Sequence, residues 1–293
     1  MLGEVKRLQG LYFWLAVLLP VASLSLGHWA PRLQPWTGLV AFAATLIDIT
    51  YLDPRNKARV KLTAQLQERF DTTVLRLPWN SLVAGEWPND DVFMTEAEKR
   101  VSVERDAAFL TWYSADTGDL SFERARYVCQ RVNVWYDGNL RQTYLKCLEG
   151  LLIFIVTVFV IVSLAAGAFY HLTVDDVVLR FLVPLGPIAF WFAREIRRQK
   201  DTAGMLKQLQ DCVDAALKGH DDMGEIGSAN QQSRLFQDAI FRHRATSPLL
   251  FDLVYDWKRI ELERRVNAYS TGLLRQLKAS SGSRSQGLAE TSL

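Results

Sequence analysis

Positions 150–170 are 21 consecutive residues without a Lys, Arg, Asp or Glu. The hydrocarbon core of a bilayer is about 30 Å thick and is crossed by about 20 apolar residues in a helix, so this run alone can span one. Three further windows are nearly as bare. Positions 8–29 carry no formal charge, 33–52 carry only Asp48, and 177–193 carry Arg180 near their start. Pro184 and Pro187 bracket Gly186 in the last window and predict a kink or a broken helix there. Lys6 and Arg7 ahead of the first window give it the outline of a signal peptide. The second window follows at once and pairs with it as a hairpin, which argues for a span instead. The 34 Lys and Arg and 32 Asp and Glu side chains lie almost wholly outside these windows. A soluble enzyme mixes apolar and charged residues at the period of its helices and strands, whereas this chain separates them. A hydrophobic content of 49% also excludes a disordered chain.

Lys and Arg are retained on the cytoplasmic side of a membrane. One set of window ends carries Lys6, Arg7, Arg55, Lys57, Arg59, Lys61, Arg141, Lys146, Arg194, Arg197, Arg198 and Lys200; the other carries Arg32 and Arg180, with Asp175 and Asp176. The asymmetry predicts that both termini and the segment 53–148 are cytoplasmic, with outer loops at about 30–34 and 171–176. Trp14, Trp29, Trp36, Tyr51, Tyr170 and Trp191 fall near the window ends, where interfacial aromatics gather. The expected fold is an all-α membrane protein. Four transmembrane helices form two hairpins, at 1–52 and 149–193. A mainly helical cytoplasmic domain is built from 53–148 and 194–277, and 278–293 form a Ser- and Gly-rich disordered tail.

Within the polar segments, Leu62, Leu66 and Phe70 repeat every four residues after Asp53-Pro54, a helix start. Leu77-Pro78-Trp79-Asn80 and the stretch 85–91 break that pattern, and a short helix restarts at Pro88-Asn89-Asp90. Ser121 is a good N-cap for a long helix that enters the third window. Val128, Val132, Tyr136, Leu140, Tyr144 and Leu148 form its apolar row, and Gly138 is a weak point inside it. A continuous helix is expected from Arg194 to Leu217, a loop over 219–229, a helix from Ser228 to about Arg244, and a last helix starting at Ser247-Pro248. The three cysteines, Cys129, Cys147 and Cys212, are far apart with no C-x-x-C. They read as reduced thiols rather than as disulfides or a zinc site.

The sequence has no G-x-G-x-x-G, P-loop, H-E-x-x-H or G-x-S-x-G, and no constellation for hydrolysis or group transfer. A non-enzyme without cofactor or metal is expected, with His220-Asp221-Asp222 read as a solvated loop. Basic and aromatic clusters remain. At 100° per residue Arg124, Arg131 and Trp135 share one helix face. Arg126, Gln130, Asn133, Asp137 and Arg141 share another, with Asp137 and Arg141 spaced to pair. One reading is a solvated ladder with one buried tryptophan. The other is a ligand pocket, because a phosphodiester needs cationic donors and a nucleobase needs a plane to stack on. On that second reading Arg131, Arg242 and Arg244 contact phosphate, Trp135 and Trp79 stack on bases, and Asn80 and Asn133 meet base edges. Phe241-Arg242-His243-Arg244 reads equally as a helix C-terminus, where cations are favoured. Asp48 either sits at the cytoplasmic headgroups or faces a helix partner or an aqueous path. Arg180 snorkels outward.

Several blocks carry a resemblance to a known family. They are Lys6-Arg7-Leu8-Gln9-Gly10, Phe70-Asp71-Thr72-Thr73-Val74-Leu75 with Leu77-Pro78-Trp79-Asn80, and Trp112-Tyr113. They continue with Cys129-Gln130-Arg131-Val132-Asn133-Val134-Trp135-Tyr136-Asp137, Leu235-Phe236-Gln237-Asp238-Ala239-Ile240-Phe241-Arg242-His243-Arg244 and Pro248-Leu249-Leu250-Phe251-Asp252. With the order of the windows, they make the chain resemble the SMODS-associated four-transmembrane effectors of bacterial CBASS antiphage systems over about residues 4–270. The resemblance implies a bacterial inner-membrane protein that binds a cyclic oligonucleotide made by a cognate nucleotidyltransferase, not DNA or RNA. The bound effector then damages the membrane and aborts infection. Four helices per chain enclose too little for a wide aqueous pore, so a homo-oligomer is expected. Two alternatives stay open: a messenger-independent channel or transporter lined by Asp48, Arg180 and the Pro184–Pro187 break, and a membrane anchor or scaffold for a cytosolic partner.

Overall fold

In a computed structural model of the chain, the described residues are 10, 32, 34–98, 113, 115–170, 183–219, 226–248, 250 and 252–290. The window at 8–29 apart from Gly10, the segment 171–176, Arg180 and the His220-Asp221-Asp222 triplet lie outside them. Among the described residues the protein is helical and has no strand. In chain order the α-helices are α1 (Gln34–Ile47), α2 (Asp53–Val74), α3 (Ser81–Ala84), α4 (Asp90–Glu98), α5 (Phe122–Tyr170), α6 (Val183–Gly219), α7 (Ile226–Thr246) and α8 (Asp252–Glu290).

Several helix ends differ from those read in the sequence. A π-helical turn, Asp48–Leu52, joins α1 to α2, and in it the Asp53 N–H donates to the Asp48 carbonyl. The helix therefore does not start afresh at Asp53-Pro54. Pro54 has no N–H to give the preceding turn, and a locally widened turn absorbs that loss. α6 continues through Pro184 and Pro187, so of the expected kink or break the break does not occur. Pro184 falls in the first turn, where helix N–H groups have no intrahelical acceptor. α8 begins at Asp252, later than Ser247-Pro248, and reaches Glu290. α5 begins where expected. The Arg124 N–H donates to Ser121 Oγ at 3.5 Å, the Ala125 N–H donates to the Ser121 carbonyl at 2.9 Å, and the helix passes Gly138 unbroken.

The chain forms two compact units. The first comprises Met1–Thr63, Arg141–Ala203 and Ala245–Val254; the second comprises Ala64–Leu140, Gly204–Arg244 and Tyr255–Leu293. The boundaries fall inside α2, α5 and α6 instead of at the ends of the apolar windows at 52, 148 and 193. In the first unit, large apolar side chains face outward. Trp36, Leu39, Phe42, Ile47 and Ile49 are exposed in and just after α1, as are Ile153, Phe154, Ile161 and Leu164 in α5. Among the described residues one helix, over Phe122–Val162, is long and apolar enough to cross a membrane. Water would penalise so large an apolar patch, whereas lipid tails accept it. Beyond this stretch the first unit holds a buried polar knot. Arg141 Nη1 donates to Gln199 Oε1 at 3.0 Å and to the Pro248 carbonyl at 3.1 Å, and Gln199 Nε2 donates to Glu195 Oε1 at 2.8 Å.

The second unit packs a water-soluble kind of core. Tyr127, Val128, Val213, Leu217, Phe236 and Leu274 form one cluster. Leu75, Leu77 and Cys129 form another, and Val134, Leu206 and Ile240 a third. All six members of the apolar row expected on α5, Val128, Val132, Tyr136, Leu140, Tyr144 and Leu148, are buried. On α2, Leu62 and Leu66 are partly buried and Phe70 is half exposed, and the fully buried residues are Ala64, Glu68, Asp71 and Thr72. Helical spacing of leucines located the helix, but the face it buries is acidic.

Candidate ligand-binding site

That acidic face meets the cationic face of α7. Glu68 accepts Arg234 Nη2 at 2.5 Å on one oxygen and Gln237 Nε2 at 2.8 Å on the other. Asp71 accepts Arg244 Nη1 at 2.5 Å and Gln237 Nε2 at 3.2 Å on Oδ2, and the Tyr113 hydroxyl at 3.1 Å on Oδ1. Arg234 also holds Asp238 at 2.7 Å and the Pro78 carbonyl at 2.9 Å. Three carboxylates and two guanidiniums are thus stacked in a nearly dry space, and each is met by a partner of opposite charge. Unpaired, any one of them would cost several kcal/mol to bury. Burial pushes the Glu68 carboxyl above its ordinary value, and Arg234 and Gln237 oppose that rise. Burial also opposes the charge on Arg244, and the Asp71 carboxylate, with Tyr113 and Asp137, more than offsets it. The Tyr113 hydroxyl is pushed well up by burial and by Asp71.

The seven side chains singled out for a ligand take the following places. Arg131, almost fully buried, makes a two-pronged bond to Asp214, Nε to Oδ1 at 2.5 Å and Nη2 to Oδ2 at 3.0 Å. Its guanidinium also lies 5.0 Å from the Tyr269 ring centre. Tyr269 in turn stacks on Trp135 with centroids 5.2 Å apart and planes 9° apart, and Arg265 lies 5.9 Å from the Trp135 ring. Arg244 is held by Asp71, as above. Asn80 Nδ2 donates to Asp238 Oδ2 at 2.8 Å, and Asn133 Nδ2 donates to the Tyr113 hydroxyl at 2.9 Å. Trp79 Nε1 donates to the Gly85 carbonyl at 2.9 Å, with its ring edge-on to Trp87. Arg242 is exposed on α7.

Asn80, Asn133 and Arg244 therefore come together in the polar core. Arg131 and Trp135 meet around Tyr269. Asp137, spaced to pair with Arg141, bonds His243 Nε2 at 2.5 Å. Asp48 opens the π-helical turn at the end of α1. Sequence reasoning missed the acids that hold the cations, Glu68, Asp71, Asp214 and Asp238. Asp71 and Asp238 stood within the quoted blocks, but only as letters in a pattern. Glu68 and Asp214 left no signal, since an acid on a helix reads as solvent-facing.

A second feature also escaped the sequence. α2 ends in a Schellman motif: the Leu77 N–H donates to the Thr72 carbonyl at 2.9 Å and the Arg76 N–H to the Thr73 carbonyl at 3.4 Å. The residue between takes a left-handed conformation that favours glycine, yet it is Arg76, at φ 48°. Arg126 clasps this turn from α5. Its Nε donates to the Leu75 carbonyl at 2.6 Å, its Nη2 to the Arg76 carbonyl at 3.0 Å, and its Nη1 to Asn230 Oδ1. Beside the turn lies a cleft of about 390 Å³, with Thr117, Gly118, Phe122, Ala125 and Cys129 in its lining. Burial pushes the Cys129 thiol up to about 12, with Asp71 adding to the rise.

Among the described residues no group of three His, Cys, Asp or Glu is placed to hold a metal ion. No solved structure gives a significant match to the chain. A protein of Bacillus cereus (strain VD146), described as a probable CBASS effector molecule, is 19% identical over 260 residues, which cover 84% of this chain and 81% of that one. The family described as the SMODS-associating 4TM effector domain matches residues 1–271. The blocks that build the polar core of the second unit and the apolar stretch of α5 fall within that match, and the chain belongs to the SMODS-associating 4TM effector family.

Proposed function

We propose that this protein is the membrane effector of a bacterial anti-phage (CBASS) system. In this reading its second unit binds a cyclic oligonucleotide messenger, and the chain oligomerises to breach the inner membrane, with both termini and the second unit on the cytoplasmic side. Beside the family membership, one observation carries the reading: a single helix has both kinds of surface. α5 supplies Gln130, Arg131 and Asn133 to the packed polar interior at one end and the exposed apolar stretch at the other. A ligand that favours one arrangement of the first end shifts the population of states available to the second.

Arg242 is exposed on α7, and Trp135 is stacked on Tyr269. Arg131, Arg244, Asn80, Asn133 and Trp79 reach a ligand only by giving up Asp214, Asp71, Asp238, the Tyr113 hydroxyl and the Gly85 carbonyl. A messenger that took them would loosen the polar core, which is itself a route from binding to movement. The test is dye release from vesicles of phosphatidylethanolamine and phosphatidylglycerol carrying the purified protein. Release is expected only on adding a member of a panel of cyclic di- and trinucleotides. Release without any of them would favour a messenger-independent channel or transporter. No release with any, alongside recovery of a cytosolic partner bound to the protein, would favour an anchor.

A further inference from the structure

We propose that the cleft at the C-terminal end of α2 is the messenger site, taking a nucleobase against Phe122 and its phosphodiester on Arg76. The proposal rests on the reading that the second unit binds a cyclic oligonucleotide, and adds where and how. Its first support is the choice of residue at position 76. At φ 48° an L side chain is strained and glycine is not. An arginine there, with its side chain exposed, accepts backbone strain that glycine would avoid and sets a guanidinium outside the packed core.

The surroundings fit the same ligand. The Arg76 guanidinium lies 5.1 Å from the centre of the Phe122 ring, and that of Arg126 lies 4.5 Å from it. Phe122 is itself 39% exposed, so part of the residue is open to solvent beside two cations that lie over its ring. Val74, Leu75 and Leu120 supply apolar wall, and the short 3-10 turn at Thr117 and Gly118 closes another side. A base needs such a plane and wall, and a phosphodiester needs the planar fork of a guanidinium.

Electrostatics separates this cleft from the rest of the unit. Arg131, Arg234 and Arg244 are each neutralised by a carboxylate. Among the described residues no carboxylate forms an ion pair with Arg76 or Arg126. Burial holds the Arg126 pKa below its usual value and the Arg76 charge lowers it further, while Glu123 offsets part of that. An anion arriving between the two arginines relieves a repulsion, where at Arg131 it would have to evict Asp214. Arg126, tied to the Leu75 and Arg76 carbonyls, fixes the turn in advance, so little ordering remains to be done on binding.

Arg76→Gly is the decisive variant, because the fold and the site predict opposite outcomes for it. Glycine suits the left-handed turn, so the thermal midpoint of the full-length protein in detergent should equal or exceed that of the wild type. Affinity for whichever cyclic di- or trinucleotide of adenine, guanine, cytosine and uracil binds the wild type should fall about tenfold or more by calorimetry. Phe122→Ala should lose affinity for the same probe. A wild type that binds one of these probes, with Arg76→Gly binding it equally, overturns the site and leaves the messenger reading standing. A wild type that binds none of them overturns both.

Discussion

The two ends of α5 invert each other. Over 126–141 the helix buries Arg126, Gln130, Arg131, Asn133 and Arg141, each less than 7% exposed; over 151–164 it exposes Ile153 at 67%, Phe154 at 64% and Leu164 at 70%. The first end buries these polar groups beside its apolar row, because every buried charge it brings meets a carbonyl, an amide or a carboxylate. The second is a stretch fit for hydrocarbon, where an apolar side chain gains nothing by hiding. Burial therefore reports the solvent as much as the residue, and one unbroken helix passes through both regimes.

Removing an acid from the buried end should break the contrast most. Asp71→Ala leaves Arg244 without its counter-charge in a dry space, a loss of about 3–5 kcal/mol. The expected result is a large drop in thermal midpoint or in the yield of folded protein. A midpoint like that of the wild type would mean that the charge cluster does not hold the second unit together. At the exposed end the converse change is a charge where none is tolerated. Ile161→Arg should cost about 2.5–3.5 kcal/mol at the centre of a span, and should lower membrane recovery and dye release while leaving messenger binding intact. Equal recovery in the membrane fraction would count against lipid exposure of this stretch.

Arg131→Ala should be milder, about 1.5–3 kcal/mol, because Asp214 keeps 32% of its side chain exposed and can turn to water. Pairing it with Asp214→Asn sharpens the test of the arginine's role. If Arg131 serves only the fold, both variants weaken stability and neither tightens messenger binding. If it contacts phosphate, freeing it from Asp214 raises affinity in Asp214→Asn. The smallest effect is one of pH. Burial raises the Glu68 pKa above its unfolded value near 4.5, so the folded state binds that proton more tightly than the unfolded chain. The stability this group contributes is fully present below the unfolded value and is lost as pH rises through the folded one. Glu68→Gln should flatten the slope of thermal midpoint against pH just above 4.5; an unchanged slope would assign it to other groups.

How much was legible depended on whether a property is local. The start of α5 at Ser121 follows from a cap and a period, and both are local. Its buried row from Val128 to Leu148 follows from the same period once the helix is known. The buried face of α2 was illegible because Leu62, Leu66 and Phe70 outweigh Glu68 and Asp71 in any count of apolar residues, and only α7 supplies the cations that let acids go inside. For the same reason Arg131, Arg244, Asn80 and Asn133 stood out as polar residues of an interesting kind, yet their partners lie 20 to 173 residues away in sequence. Arg76 gave no signal at all: an arginine after a helix looks ordinary until its φ is known.

The order of residues by itself determined that this chain is helical, that α5 carries a stretch fit for a bilayer, and which blocks tie it to its family. Composition and period act over one or two turns, and a solvent preference summed over 21 residues leaves no competing solution. Tertiary structure alone decided which of the distant charges are spent on one another. The bridges Glu68–Arg234 and Asp71–Arg244 join positions 166 and 173 residues apart, and no short window along the chain contains both.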